Sequence, residues 1–269
     1  MPYKQVSIIR KYWKNQKPPV GFQINWSHPL ARGLVGCWLF NEGGGNKVYD
    51  LAKNNHGTLI NRPLWWTGRN GYALKFDGVN DYVDAGSGAS LNITDAITVS
   101  AWIKPFSTHD GGVIEKTIGG TVNKQYLMFV SGSELLNFRV MKAAGIYDAR
   151  SASYPPLNTW THIVGRYDGS EVSVWVNGIK QITTVAAAAP IDSGSGATLI
   201  GMLGSSIYPF NGLIDEVRVY NRALSSSEIK QLYQDPYCFI QPIVRRFYSI
   251  TSAVQANKPT RRRVLLSCN

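Results

Sequence analysis

Acidic side chains that could bind a metal ion lie near turn signals. Hard cations such as Ca²⁺ take several oxygen ligands from carboxylates, amides and carbonyls. The strongest candidate ligands are Asp50, Asp77, Asp81 and Asp215. Further oxygen atoms nearby in the sequence come from Asn41, Glu42, Asn80, Asp84 and Glu216. No spacing among them forms an EF-hand loop, and the alternative is that Asp77 closes a turn and Asp215 pairs with a backbone group or His56. Calcium is the one cofactor that the sequence suggests.

Aromatic side chains near turns are the second group with a chemical use. Exposed aromatic rings beside polar groups can stack on sugar rings. The residues placed for this are Trp65, Trp66, Tyr147 and Tyr154, with Tyr208 as a further candidate. The alternative for all of them is partial packing or a protein interface. The tryptophans inside strand patterns are predicted to lie in the core: Trp38, Trp102, Trp160 and Trp175.

Hydrolytic chemistry is not predicted. Glycosidases use paired carboxylates, which on a strand must face the same side, and no Glu-x-Asp-x-x-Glu or comparable pair occurs. Asp215 and Glu216 are adjacent, so they are expected to point to opposite faces of their strand. No Gly-x-Ser-x-Gly elbow is present either. The sequence therefore favours a protein that is not an enzyme.

Short strands are the elements that must position these residues. Apolar runs such as residues 97–103 and 163–167 alternate with glycine-containing turns, which is typical of a β-sandwich. Asn177-Gly178 between two such runs predicts a hairpin with a type I′ turn. Ser225, with Glu228 three residues later, predicts a capped helix that ends before Pro236.

Six stretches resemble a known family. They are residues 33–43 (GLVGCWLFNEG), 54–59 (NNHGTL), 76–83 (FDGVNDYV), 98–103 (TVSAWI), 160–178 (WTHIV and VWVNG) and 210–233, which contains GLIDEVRVYNRALSSSEI. In this order they resemble the laminin-G-like, concanavalin A-like jelly-roll family. The resemblance implies an all-β fold: a jelly-roll β-sandwich of two antiparallel sheets with one short C-terminal helix. It also implies that calcium can lie at a sheet rim.

The positive charge lies at the two ends of the chain. The net charge is +11, and residues 1–41 and 236–269 together hold twelve of the 28 Lys and Arg and no Asp or Glu. The middle is therefore about neutral. We predict a basic N-terminal arm (1–33), a laminin-G-like sandwich (34–235) and a basic C-terminal arm (236–269). The arm residues expected to dock on a partner are Arg10, Lys11, Trp13, Trp26, Arg245, Arg246, Arg261, Arg262 and Arg263. The alternative is that the N-terminal arm packs back on its own sandwich.

A lectin-like sandwich with two arm extensions resembles the accessory proteins of tailed-phage particles, and this resemblance implies a structural or decorating protein of such a particle. The arms would dock on other virion proteins or on a second copy of the chain, with the sandwich displayed outward. The alternative function is a calcium-dependent carbohydrate-binding module for adhesion to surface glycans. A single Arg triplet is a weak signal for nucleic acid, and no apolar run is long enough for a membrane helix. The N-terminus has no apolar core of a signal peptide, so we expect assembly in the host cytoplasm.

Overall fold

Strands make up about half of the residues that the structure describes, because apolar and polar residues alternate in the short runs of the sequence. The computed structural model describes residues 16–119, 123–133, 135–142, 145–186, 190–204 and 208–241. The strands in chain order are β1 (Gln23–Ile24), β2 (Leu34–Trp38), β3 (Lys47–Val48), β4 (Gly57–Ile60), β5 (Leu64–Thr67), β6 (Tyr72–Asp77), β7 (Tyr82–Asp84), β8 (Ile97–Pro105), β9 (Gly111–Gly119), β10 (Asn123–Ser131), β11 (Leu135–Lys142), β12 (Gly145–Arg150), β13 (Thr161–Tyr167), β14 (Glu171–Val176), β15 (Ile179–Ala186), β16 (Thr198–Ile200), β17 (Met202–Leu203), β18 (Tyr208–Pro209), β19 (Asn211–Tyr220) and β20 (Ile240–Gln241).

Two antiparallel sheets carry most of these strands. Sheet I has the order β12-β11-β10-β9-β16-β7-β4-β3, and sheet II has the order β15-β14-β13-β8-β19-β6-β5, with β2 also paired to β19. Strands that are distant in sequence are neighbours in both sheets, as a jelly roll requires. The predicted all-β sandwich of two antiparallel sheets is confirmed.

The main core lies between the two sheets. On sheet I, alternate residues of β10 and β11 face inward, such as Met128 and Phe138. Gly165 of sheet II lies against Phe138 so closely that a β-carbon there would be 2.1 Å from the ring. Phe76 and Phe210 meet edge to face, with ring centroids 6.5 Å apart. Each buried side chain of this size contributes roughly 1.5–3 kcal/mol to folding, so this layer holds the sheets together.

A second apolar layer covers the outer face of sheet II. Residues 16–33, which we call the N-terminal strap, contribute Ile24 and Leu30, and residues 236–241, the C-terminal strap, contribute Tyr237 and Phe239. The straps are joined because β1 pairs with β20. The alternative that the N-terminal arm packs back on its own sandwich therefore holds for residues 16–33. Trp26 is 53% exposed, and the other predicted docking residues (Arg10, Lys11, Trp13, Arg245, Arg246, Arg261, Arg262 and Arg263) lie outside the described residues.

The helix α1 (Ser226–Gln234) lies in the same outer layer. Both bonds of the predicted capping box are present: the Glu228 amide donates to the Ser225 hydroxyl, and the Ser225 amide donates to the Glu228 carboxylate. Ile229 and Leu232 are buried, and Tyr233 stacks on Trp102 with ring centroids 5.7 Å apart. Within the described ranges, no helix is long and apolar enough to cross a membrane.

Two local expectations differ from the structure. Trp160, predicted to be core, is only half-buried because it lies just before β13 begins. Asp215 and Glu216, predicted to face opposite sides, both lie on the outer face of sheet II. The pairing of β19 with β8 shifts register between Asp215 and Arg218, and Glu216 has a φ of 51°. Such a bulge adds one residue to one strand and breaks the alternation of side chains.

Candidate functional site

An open cleft lies at the end of the sandwich where β19 begins. It has a volume of about 620 Å³. Its walls come from the ends of four chain segments: the turn after β6, the loop after β8, the turn after β10, and the β18–β19 junction. The lining residues are Gly78, Ser107, Thr108, His109, Asp110, Gly132, Tyr208, Pro209 and Asn211.

The loop after β8 is held in place by three hydrogen bonds. The Phe106 amide donates to the Asn211 carbonyl at 2.9 Å, and the Asn158 amide donates to the Pro105 carbonyl at 2.8 Å. The Tyr154 hydroxyl donates to the Ser107 carbonyl at 2.9 Å. Tyr154 therefore fixes the wall of the cleft from behind, although its own ring does not line it.

Two glycines keep the cleft open. Gly78 has a φ of 77°, which favours glycine, and a β-carbon there would lie 2.8 Å from the β-carbon of Asn211. A β-carbon on Gly132 would lie 2.9 Å from the Thr108 carbonyl oxygen. Larger side chains at either position would push against the lining, so the shape of the cleft depends on both glycines.

The polar groups of the cleft are suited to a ligand rich in hydroxyl groups. The Ser107 hydroxyl is buried and has no hydrogen-bond partner among the described residues. Asp110 and His109 are exposed, and Tyr208 presents a ring that is 44% exposed. Burial, assisted by the nearby Asp110 carboxylate, raises the pKa of Tyr154 to about 12. Tyr154 thus remains a hydrogen-bond donor at neutral pH.

Two of the four predicted calcium ligands have other partners. The Asp50 carboxylate is buried and accepts backbone hydrogen bonds from Cys37 at 2.7 Å and Ala52 at 2.8 Å, among others. The Asp215 carboxylate lies 2.5 Å from the ammonium of Lys17. These two carboxylates do not fit a calcium ion as the structure arranges them.

The other two predicted ligands lie at the rim of the cleft, beside Gly78. The Asp77 carboxylate accepts a hydrogen bond from the Val79 amide at 2.8 Å, as in the predicted turn. The Asp81 carboxylate accepts one from the Asp77 amide at 3.2 Å. Burial and the charge of Asp77 raise the pKa of Asp81. Among the residues that the structure describes, no group of three or more His, Cys, Asp and Glu could hold a metal ion.

The predicted sugar-stacking residues are not brought together. Trp65 packs against the core, and its indole N–H donates to the Gly45 carbonyl at 2.9 Å. Trp66, on the edge strand β5, is 48% exposed with the Lys75 ammonium 4.8 Å from its ring centroid. Tyr147 packs partly against the core. Of the four, Tyr154 alone contacts the wall of the cleft.

Sequence reasoning missed five polar residues that line the cleft: Ser107, Thr108, His109, Asp110 and Asn211. One signal was present, since residues 107–110 form a polar run between two apolar strands and end at Gly111-Gly112. Conversely, Tyr208 was a candidate on sequence grounds, and it does line the cleft.

Comparison with known proteins agrees with this architecture. Adhesion G-protein coupled receptor V1 of Danio rerio is 26% identical over 153 residues, which are 52% of this chain but 2% of the receptor. Domain 4 of AbnA, an extracellular arabinanase from Geobacillus stearothermophilus solved with arabinotriose, superposes with a TM-score of 0.61 at 21% identity, covering 75% of this chain and 98% of that domain. The binding domain of Paraclostridial Mosquitocidal Protein 1 superposes with a TM-score of 0.62 at 18% identity, covering 76% of this chain and 52% of that chain.

At these identities the structural likeness shows the fold alone, and the chain spans a very small part of its curated relative. The family assignment comes from a sequence match. The family model described as the concanavalin A-like lectin/glucanases superfamily matches residues 77–230, more than half of the chain. The resemblance predicted from the six motifs is thereby confirmed: the chain belongs to the concanavalin A-like lectin/glucanases superfamily.

Proposed function

We propose that this protein is a non-enzymatic carbohydrate-binding domain and that the sugar binds in the cleft. The observation that carries the proposal is the cleft lining itself. It combines a half-exposed ring, Tyr208, with the exposed polar side chains of Thr108, His109 and Asp110 and with Asn211. Sites that recognise small polar ligands combine apolar surface with a few fixed polar groups in this way.

The cleft favours binding over hydrolysis. Glycosidases of the usual type place two carboxyl groups on either side of the scissile bond. Asp110 is the one carboxylate among the described lining residues. Asp77 lies beside the cleft, but its carboxylate accepts backbone hydrogen bonds in a turn. A single exposed carboxylate can accept hydrogen bonds from sugar hydroxyls without cleaving the glycosidic bond.

One structure with the same fold was solved with a sugar. The arabinanase domain, solved with arabinotriose, is covered along 98% of its length by this chain. A sandwich of this size alone is therefore enough to form a complete domain. That structure does not identify the sugar for this chain, so a screen of many glycans is needed.

A glycan array probed with the full chain tests the proposal. We expect the wild type to bind a defined subset of glycans and Tyr208→Ala to lose that binding, because the ring that would stack on the sugar is removed. Trp66→Ala is the matched control, since it removes a similarly exposed aromatic ring that does not line the cleft. Loss of binding in Trp66→Ala with retention in Tyr208→Ala would instead place the site on the edge strand β5.

A second function, display on a larger assembly, is favoured by the positions of the straps. The cleft lies at the Asn211 end of β19, where Asp77 of β6 pairs with Asn211. The N-terminal strap begins near the opposite end of β6, because the Lys17 amide donates to the carbonyl of Asn70, two residues before β6 starts. We propose that the basic arms attach the domain to an acidic surface, such as that of the phage-type particle predicted from the sequence, with the cleft facing outward.

Charge removal in the full chain tests this second proposal. Replacing Arg10, Lys11 and Arg261–263 with alanine should abolish self-association or binding to an acidic partner that the wild type shows by light scattering at low salt. High salt should have the same effect, because exposed charges are screened. Replacing Lys180 and Lys230 of the sandwich is the control. A wild-type chain that stays monomeric and inert at both salt concentrations contradicts the proposal.

A further inference from the structure

Lys17 of the N-terminal strap extends into the sandwich and is only 6% exposed. Its ammonium group lies 2.5 Å from Asp215 Oδ1 and 3.4 Å from the Phe40 carbonyl oxygen, and it also donates to the Tyr72 carbonyl. The backbone amide of Lys17 donates to the Asn70 carbonyl at 2.9 Å. The charge is therefore enclosed by oxygen atoms from three separate parts of the chain.

One carboxylate oxygen beside this ammonium has no hydrogen-bond partner among the described residues: Oδ2 of Asp215, which is fully buried. The Asp215 carboxylate and the backbone carbonyls of Phe40 and Tyr72 together form the kind of oxygen-rich set that hard metal ions prefer.

The charges on this part of sheet II are already balanced. Asp215 forms an ion pair with Lys17. The adjacent Glu216 forms one with Arg218, in which a guanidinium nitrogen lies 3.2 Å from the carboxylate. Buried charges are tolerated when each one is paired and hydrogen-bonded. A divalent ion added to this set would bring excess positive charge beside Lys17. The lysine and a metal ion are therefore alternatives at this position.

We propose that the Lys17 ammonium occupies an oxygen-lined site that would otherwise attract a divalent metal ion. Because Lys17 belongs to the N-terminal strap, the same contact docks the strap on the sandwich. The calcium expected at Asp215 from the sequence is thus replaced by a group of the chain itself. The stability of the fold should therefore not depend on calcium. The docking of the N-terminal strap should depend on the Lys17 side chain.

Thermal unfolding of full-length variants tests this inference. The wild type should unfold at the same temperature in EDTA and in millimolar CaCl₂. Lys17→Met should unfold several degrees lower in EDTA, because Asp215 is left buried and unpaired, and CaCl₂ should restore part of that loss. Lys47→Met makes the same chemical change at an exposed lysine and should leave the unfolding temperature unchanged.

A double variant distinguishes the loss of the charge pair from a general packing defect. Lys17→Met with Asp215→Asn removes both charges, so it should be more stable than Lys17→Met in EDTA and should not respond to CaCl₂. Hydrogen exchange in the peptide covering residues 16–25 should be faster in Lys17→Met than in the wild type. The inference is overturned if calcium stabilises the wild type, or if Lys17→Met matches the wild type in stability and exchange.

Discussion

At the scale of single residues, sheet II buries ionisable groups that a sandwich face usually avoids. Asp215, Glu216 and Arg218 are all fully buried on β19, and each has an oppositely charged partner. Arg218 also donates to the Pro236 carbonyl at 2.9 Å, which joins the C-terminal strap to the sheet. Removing one partner of such a pair costs about 3–5 kcal/mol. The straps are thus held by charges as well as by apolar contacts.

Burial raises the pKa of the Asp215 carboxyl, and the Lys17 ammonium opposes this shift. Without Lys17 the carboxyl would take up a proton more readily, so the charged form of Asp215 depends on this one partner.

His162 is a further buried ionisable group of sheet II, and it makes stability depend on pH. It is fully buried, with Nε2 3.1 Å from the Ser100 hydroxyl and the Trp102 ring 5.2 Å away. Burial, together with the charges of Arg218 and Arg69, lowers the pKa of His162 to about 3. Below pH 6.5 the unfolded chain takes up a proton that the folded protein does not, so stability falls as the pH drops from 6.5 towards 3.

We predict that His162→Gln makes the protein less sensitive to acid. The difference in free energy of unfolding between pH 6.5 and 4 should shrink in this variant, as measured by urea unfolding. His109→Gln, at an exposed histidine, should leave the difference unchanged. Equal acid sensitivity of wild type and His162→Gln would show that another group controls it.

Sequence alone could not indicate Lys17 as the partner of Asp215. The two residues are separated by 198 positions, and Lys17 lies in an arm that reads as an unpaired basic segment. The acidic residues were singled out by type alone, as calcium ligands. Their partners depend on the path of the strap across sheet II, which no local pattern encodes.

At the scale of elements, the helix α1 shows what local sequence can determine. Its first turn is specified by Ser225 and Glu228, and its buried side by Ile229 and Leu232. These interactions span three or four residues, so spacing is enough to predict them. By contrast, the bulge at Glu216 depends on how β19 pairs with β8, and simple alternation assigned that carboxylate to the wrong face.

We predict that Ser225→Ala lowers the free energy of unfolding by about 1 kcal/mol, because the hydroxyl that accepts from the Glu228 amide is lost. Ser226→Ala, one position later at an exposed site, is the control and should be neutral or slightly stabilising, since alanine favours helix. Urea unfolding of both variants measures the difference. An equal effect of the two changes would mean that the cap contributes little.

At the scale of the whole molecule, the fold could be predicted and the cleft could not. The fold follows from six motifs that lie in family order, and each is a local pattern of strand and turn residues. The cleft instead collects Gly78, the loop of Ser107–Asp110, Gly132 and Asn211 from four distant segments. Their proximity is a result of sheet topology, so it appears only once the strands are paired.

The same topology separates two tasks. The cleft lies at the Asp77 end of β6, and the N-terminal strap that leads into the basic arm begins near the other end. A domain arranged in this way can bind a ligand at one end while it is attached at the other. Attachment to an assembly matters for function only if the cleft binds a ligand, so ligand binding in the cleft is tested first.

The most direct test is calorimetric titration of the strongest array ligand into the wild type, Trp66→Ala and a Tyr208→Ala/Asn211→Ala double variant. We predict equal affinity for the first two proteins and at least a tenfold weaker affinity for the double variant, about 1.4 kcal/mol, with an unchanged unfolding temperature. Unchanged affinity in the double variant would contradict the assignment of the cleft as the carbohydrate site.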